Sequence, residues 1–200
     1  MKLKSIQQGS QYWKRWRKQG IGASDAPAIM GVSPWSTKSD WLQTSLGFQH
    51  FRGNARTFRG ERLEPFVRAM CNQQLNKEFR AICAEHDDYP WLRASLDGLC
   101  MDNEHILEIK CPNDSAHSKA VGGGVPNYYY PQLQHQFLVT GLDRLTYASY
   151  SDEPKFKGNE LALVEIKPNP DYIATLFRRL QEAQELKEKA IKMLKEKSRK

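Results

Sequence analysis

No run of apolar residues in this sequence approaches the ~18–20 needed to cross a bilayer as a helix, so a helical membrane span is not expected. Cysteine is sparse. Cys71, Cys83, Cys100 and Cys111 stand apart, with no Cys-x-x-Cys pair, which argues against a disulfide framework and against a thiolate-bound iron–sulfur cluster. The histidines (His50, His86, His105, His117 and His135) show no His-x-x-x-His or mixed Cys/His spacing, so a zinc site is not expected either. Met1 to Ser10 is short and polar, unlike a secretory signal, and the expectation is a reduced, cytoplasmic protein. Internal repeats, low-complexity segments and composition breaks are also lacking. A chain of 200 residues is long enough for one continuous core, and we read 1–200 as a single domain.

Positive charge is what the chain has in excess: 30 Lys and Arg against 23 Asp and Glu, a net charge of +7, which favours a polyanionic partner. Some of it clusters near the start, where Gln8 to Gln19 carries Tyr12-Trp13-Lys14-Arg15-Trp16-Arg17-Lys18. As a helix this segment buries Tyr12 or Trp13 together with Trp16 and displays its cations elsewhere. Gly20 to Pro27 is glycine-rich and leads into an apolar turn through Ile29-Met30; Ser24 is placed as an N-cap, with Asp25 in the first turn and Pro27 just inside. Free N–H groups at such a start also suit a phosphate, although capping alone accounts for the serine.

Helical spacing predicts a helix from Thr37 or Ser39 to Leu46, with Trp41 and Leu42 inward and Gly47 as its stop. A polar linker with Arg52, Arg56 and Arg59 follows. A longer helix is expected over Phe58–Gln74, with Leu63, Phe66, Val67 and Met70 on its buried side. Ala116 to Tyr130 reads as a loop around Gly122-Gly123-Gly124, with Tyr128 to Tyr130 as packing residues. Tyr130–Thr140 reads as a helix with Leu133 and Phe137 inward and Gln132, His135 and Gln136 on other faces. Leu145–Tyr150 and Leu161–Ile166 read as an antiparallel pair, and 170–195 as a final helix whose stripe is Ile173, Leu176, Phe177, Leu180, Ala183 and Leu186.

The most informative stretch is Leu92 to Pro112. It reads as a β-hairpin: an apolar run to Cys100, a turn at Asp102-Asn103 and a second run from Ile106. Alternation on the second strand sends Leu107 and Ile109 to one face and Glu108 and Lys110 to the other. Asp97, before Gly98, can reach the same edge. Two carboxylates and a lysine converging there are what a Mg²⁺-dependent phosphodiesterase requires, since hard oxygen ligands hold the cation and the ammonium positions an attacking water. Glu165-Ile166-Lys167 repeats the spacing without an upstream Asp-Gly and is cut short by Pro168, so we read it as an ordinary surface pair.

Ser95-Leu96-Asp97-Gly98 followed by Leu107-Glu108-Ile109-Lys110-Cys111-Pro112 resembles the PD-(D/E)XK nuclease core, and within it the lambda-exonuclease (YqaJ-type) viral recombination nucleases. The resemblance runs from about Arg17 to Glu165. It implies an α/β (α+β), restriction-endonuclease-like fold, with a mixed central β-sheet flanked by helices. It also implies a two-metal site for Mg²⁺, with Mn²⁺ as substitute: Asp97, Glu108 and the Ile109 carbonyl as ligands, Lys110 as the catalytic lysine, and Glu64, from Gly60-Glu61-Arg62-Leu63-Glu64, on the second ion. Arg17, Ser24, Ser95 and Gln132 match the residues with which the family holds a terminal 5′-phosphate of duplex DNA. The chain departs from the lambda enzyme after Ser24: Ser33-Pro34-Trp35 stands where that enzyme has a basic side chain that helps split the duplex. The implied activity is 5′→3′ digestion of one strand of linear double-stranded DNA, by a ring-shaped homotrimer working with a single-strand annealing protein in phage-type recombination. Two other readings stay open: a restriction- or repair-type endonuclease on the same core, and a nucleic-acid-binding protein that keeps the fold without activity.

Overall fold

The computed structural model describes residues 1–49, 53–100, 102 and 104–197. His50, Arg52 and Asn103, named above, lie outside them, as does the side chain of Arg56. In chain order the elements are β1 (Lys2–Lys4), α1 (Gln11–Lys18), β2 (Ile21–Gly22), α2 (Ala26–Ile29), α3 (Lys38–Leu46), α4 (Ala55–Leu75) and β3 (Phe79–Glu85). There follow β4 (Leu92–Cys100), β5 (Ile106–Lys110), α5 (Asp114–Val121), α6 (Tyr130–Thr140), β6 (Leu145–Tyr150), β7 (Leu161–Ile166) and α7 (Pro170–Lys197).

The strands form one mixed sheet in the order β1-β3-β4-β5-β6-β7, with β2 added in parallel beside β4. Along that path neighbours are antiparallel except β5 and β6, which pair in parallel from Ile106–Leu145 to Lys110–Ser149. A parallel neighbour requires a crossover, and the chain supplies it with α5 and α6. Helices cover both faces of the sheet. Ile106, Leu145 and Tyr147 share a core with Leu133 and Phe137 of α6 and Leu176 and Leu180 of α7. Leu107, Ile109 and Ala148 face Val67 and Cys71 of α4. Residues of alternating parity on β5 therefore enter two different cores, and the face carrying Glu108 is as well covered as the other. Among the described residues, no helix is long and apolar enough to cross a membrane.

The hairpin, α3, α6 and the β6–β7 pair stand where the sequence put them. Thr37 and Asp40 close a capping box on α3, and Gly47 ends that helix at φ 86°. Of the two alternatives for α1, Trp13 rather than Tyr12 joins the buried Trp16: Trp13 is half-buried and Tyr12 exposed. Other expectations are corrected. Ser24 is not an N-cap: residues Ala23–Asp25 form a 3₁₀ turn, and the Asp25 carboxylate accepts the Gly22 N–H at 2.8 Å. Asp25, not Ser24, stands at the N-cap position of α2, with no side-chain cap hydrogen bond, and the Ser24 hydroxyl accepts from Arg17 instead. α4 starts at Ala55, capped by Asn54, and Phe66 is exposed on it, packed edge-on against Tyr150. Part of the expected 116–130 loop is α5, started by the Asn113 cap; its buried residues are Ala116, His117 and Ala120, too small and polar to give an apolar period. On α6, Gln132, His135 and Gln136 are buried along with Leu133 and Phe137, because both sheet and α7 cover it. Leu186 is exposed and its neighbour Lys187 buried. β3, with a bulge between Arg80 and Ile82, was not anticipated.

Gly98 shows how tightly the hairpin is packed. A Cβ there would lie 2.8 Å from the Phe79 Cβ and 2.9 Å from the Leu107 Cβ. Gly98→Ala is expected to lower stability by ~1–3 kcal/mol through overpacking. Gly60→Ala, in the interior of α4 with open space around it, is expected to be neutral or to stabilise by up to ~1 kcal/mol. Urea unfolding of the two variants checks both signs.

Candidate active site

Antiparallel pairing between β4 and β5 is short, covering Gly98–Leu107 and Leu99–Ile106. One step beyond it a side chain continues the connection: Asp97 Oδ2 accepts the Ile109 N–H at 2.8 Å. Asp97 is thereby fixed against the next strand rather than merely near it. Its backbone carbonyl accepts from Arg68 Nε of α4 at 2.5 Å, and the same guanidinium pairs with Glu64 one helical turn away. Arg68 thus ties Glu64 to the strand that carries Asp97.

Glu108 is 1% exposed. Its Oε1 accepts from Lys110 Nζ at 2.5 Å and Gln132 Nε2 at 2.6 Å, and its Oε2 accepts from Gln136 Nε2 at 2.5 Å. Gln132 and Gln136 stand one turn apart on α6, so both amides point to the same strand. The Lys110 ammonium also lies 5.5 Å from the centroid of the Tyr129 ring. Burial disfavours its charged form, but Glu108 and Asp97 outweigh that effect and hold the ammonium above the usual lysine range. For Asp97 the balance is opposite: burial first, then the charges of Glu108 and Glu64, push its carboxyl well above the usual range against the pull of Lys110. Glu64 is raised too, by burial more than Arg68 offsets.

Three acidic groups therefore interact in a poorly hydrated space with more negative charge than Lys110 and Arg68 neutralise. This donor set, hard carboxylate oxygens with a deficit of positive charge, fits a hard divalent cation. The carboxylates are not drawn into a ready-made cluster: no group of three or more Asp, Glu, His or Cys among the described residues is poised to hold a metal. Glu108 is turned onto the α6 amides instead.

The second group of sequence-predicted residues lies around α1. Arg17 donates to Ser24 Oγ at 2.7 Å, stands 3.7 Å from an Asp25 oxygen and lies over the Trp13 ring at 4.9 Å. Trp13 Nε1 donates to Ser95 Oγ at 2.8 Å, which brings Ser95 of β4 into the same group. The end of α1 is held from behind, where the buried Lys187 ammonium of α7 donates to the carbonyls of Lys18 at 2.7 Å and Gly20 at 3.1 Å. Gln132 is different: its amide belongs to Glu108, not to the Arg17 group. Sequence reasoning missed Arg68, Gln136, Trp13 and Lys187. The first two had a signal, since each lies four residues from a predicted site residue on the same helix, Glu64 and Gln132. Trp13 carries a packing signal within a basic, aromatic helix, and nothing in the sequence marks Lys187 among the other lysines of α7.

Residues 12–143, well over half of the chain, match the YqaJ-like viral recombinase domain. The chain belongs to this family. The uncharacterized protein YqaJ of Bacillus subtilis (strain 168) is 26% identical over 171 residues, covering 83% of this chain and 52% of the relative. The chain thus spans about half the length of that curated relative. The alkaline exonuclease LHK-Exo of Laribacter hongkongensis superposes with a TM-score of 0.80 at 26% identity, over 94% of this chain and 98% of its own. LHK-Exo in complex with dAMP gives 0.81 at 25% identity over the same shares. A phage-related exonuclease from Haemophilus somnus 129PT, 16% identical, shares the fold at a TM-score of 0.64 over 88% of this chain and 96% of its own. The mixed sheet flanked by helices is therefore the exonuclease fold of LHK-Exo.

The decoy pair gives an internal control for the YqaJ-like site. Lys167 and Glu165 also meet, at 2.9 Å, but their side chains are 62% and 55% exposed. Removing Glu165 should leave stability almost unchanged. Glu108→Ala strips the acceptor from two buried amides and the counter-charge from Lys110, and should cost ~3 kcal/mol or more. Equal midpoints and slopes for the two variants in denaturant titrations would contradict this difference.

Proposed function

We propose that the chain is a Mg²⁺-dependent exonuclease that degrades one strand of linear double-stranded DNA from a 5′-phosphorylated end, leaving a 3′ single strand for recombination. The observation that carries this reading is the convergence of Asp97, Glu108, Lys110 and Glu64 where β4 and β5 part, with the basic helix α1 bonded through Trp13 to Ser95, two residues before Asp97. Membership of the YqaJ-like family and the likeness to the alkaline exonuclease LHK-Exo support a nuclease role in recombination. The net charge of +7 suits a phosphate backbone.

Asp97, Glu108, the Ile109 carbonyl and, for a second ion, Glu64 would hold the metal. Bound there, Mg²⁺ would supply positive charge to the phosphate under attack and to the departing oxygen. Lys110 donates a hydrogen bond that orients the attacking water, its own position fixed by Glu108. Gln132 and Gln136 orient Glu108, and Arg68 sets Glu64 and the Asp97 backbone. Arg17, with Ser24 and Ser95, takes the terminal 5′-phosphate through charge-assisted hydrogen bonds and so fixes which phosphodiester reaches Asp97 and Lys110. A ring-shaped homotrimer and a single-strand annealing partner belong to the same proposal. The protein's mass in solution by light scattering tests the first of these.

The primary test is release of nucleotides from a linear duplex labelled at each 5′ end in turn. The expectation is release with Mg²⁺ or Mn²⁺ and none in EDTA, with a closed circular duplex left intact. Nicking of the circle would favour the endonuclease reading, and inertness towards both substrates would favour the inactive binder. Lys110→Ala should bind DNA normally yet slow single-turnover cleavage by ~10²–10⁴-fold. Cleavage near the wild-type rate would reduce Lys110 to a charge partner.

A two-by-two comparison isolates the role of Arg17. On 5′-phosphorylated ends Arg17→Ala should lose ~1–3 kcal/mol of interaction, and on 5′-hydroxyl ends much less, since the partner is already absent. Initial rates at fixed salt decide the matter. An equal loss on both ends would assign Arg17 to general DNA affinity.

A further inference from the structure

Trp35 is 64% exposed, an uncommon setting for so large an apolar side chain. It is nevertheless held in place. Ser33 Oγ accepts the backbone N–H groups of both Trp35 and Ser36 at 3.2 Å, and Pro34 restricts the backbone between them. The indole packs edge-on against Tyr128, with ring centroids 4.9 Å apart, and lies 6.1 Å from Tyr129. Tyr129 in turn leans on the fully buried Tyr147 at 6.0 Å and carries the Lys110 ammonium at 5.5 Å. A continuous aromatic path therefore runs from the buried Tyr147 out to Trp35, and the side chain proposed to orient the attacking water touches its middle.

We propose that Trp35 is a stacking platform for an unpaired nucleobase of the strand that enters the site, one ring away from Lys110. This deepens the nuclease reading above and rests on it. An indole already fixed by a turn and by two tyrosines loses little freedom on binding, so most of the contact appears as affinity. Stacking on a π-face accepts every base alike, which suits an enzyme that must advance along any sequence. A base inside a duplex has both faces covered by its neighbours, so the ring is open only to a base at the end of the helix, and a base freed there can lie on it without holding its pair in place. The Trp35 contact would thus hold the opened end and set its register, while Arg17 holds its phosphate.

The test is a binding cycle in EDTA, read by fluorescence anisotropy, so that no chemistry enters. One probe is a short 5′-phosphorylated single-stranded DNA, the other the same strand with abasic residues at its 5′ end. Trp35→Ala should weaken binding of the first on the order of ten-fold, and of the abasic strand by about two-fold or less, while Trp35→Phe keeps most of the affinity. Equal loss on both probes, or none on either, overturns the proposal. Exposure of Trp35 makes misfolding of these variants an implausible source of a base-selective loss, and circular dichroism checks it. Absence of nucleotide release by the wild-type protein would sink the nuclease reading, whereas the binding cycle judges Trp35 on its own.

Discussion

A carboxylate almost wholly removed from water can stay charged only if donors surround it, and Glu108 imposes that condition on the elements nearby. Leaving such a charge unpaired costs several kcal/mol, more than most single contacts return. Lys110 comes from the same strand, but the other donors, Gln132 and Gln136, come from α6. Helix α6 must therefore cross this face of the sheet in one rotation, with those amides turned inward. The crossover between the parallel strands β5 and β6 delivers it there. His135 bonds the Arg93 carbonyl of β4, and Gln134 bonds Lys167 and Asn169 of the segment between β7 and α7, which explains why a helix with three glutamines and a histidine among its residues is so well covered.

The second constraint is the parting of β4 from β5. Gly98 admits no side chain between Phe79 and Leu107, so the strands close up there; beyond it the ladder ends and the Asp97 carboxylate takes the Ile109 N–H. Two central strands thus part at this point, and Arg68 of α4 is held against the Asp97 carbonyl beside it. Burial first, and the neighbouring carboxylates after it, raise the carboxyls of Asp97 and Glu64 above the usual range. The basic group on α1 reaches the same strand through Trp13 and Ser95, two residues before Asp97. One strand thus links the proposed chemistry with the proposed grip on the end of the DNA.

Legibility followed the kind of signal each residue carries. The meeting of Asp97, Glu108 and Lys110 was readable because period-two alternation and an Asp-Gly step are local patterns, and Glu165-Ile166-Lys167 was separable by its lack of an upstream Asp-Gly and by Pro168. The exposure of the two pairs, 1% for Glu108 against 55% for the Glu165 side chain, follows that distinction. Helix α3 was legible through Thr37 and Gly47, which cap it with their own atoms. Strand β3 and helix α5 were not, because small residues such as Ala84, Ala116 and Ala120 are buried by their neighbours' packing without forming an apolar pattern of their own.

The sequence by itself determined the nuclease-like hairpin, the order of its acidic and basic residues and most of the helices, since periodicity, caps and turns act within a few residues. Only the tertiary structure decided the partners. It gave Gln132 to Glu108 rather than to the Arg17 group, made Asp25 rather than Ser24 the cap, buried Lys187 beneath the end of α1, and set Trp35 on the tyrosines that lead to Lys110. The hydrogen bonds among these depend on which of several competing donors and acceptors come within about 3 Å once the sheet has placed its helices. That competition is settled by packing between residues as far apart as Lys18 and Lys187, and no local pattern encodes it.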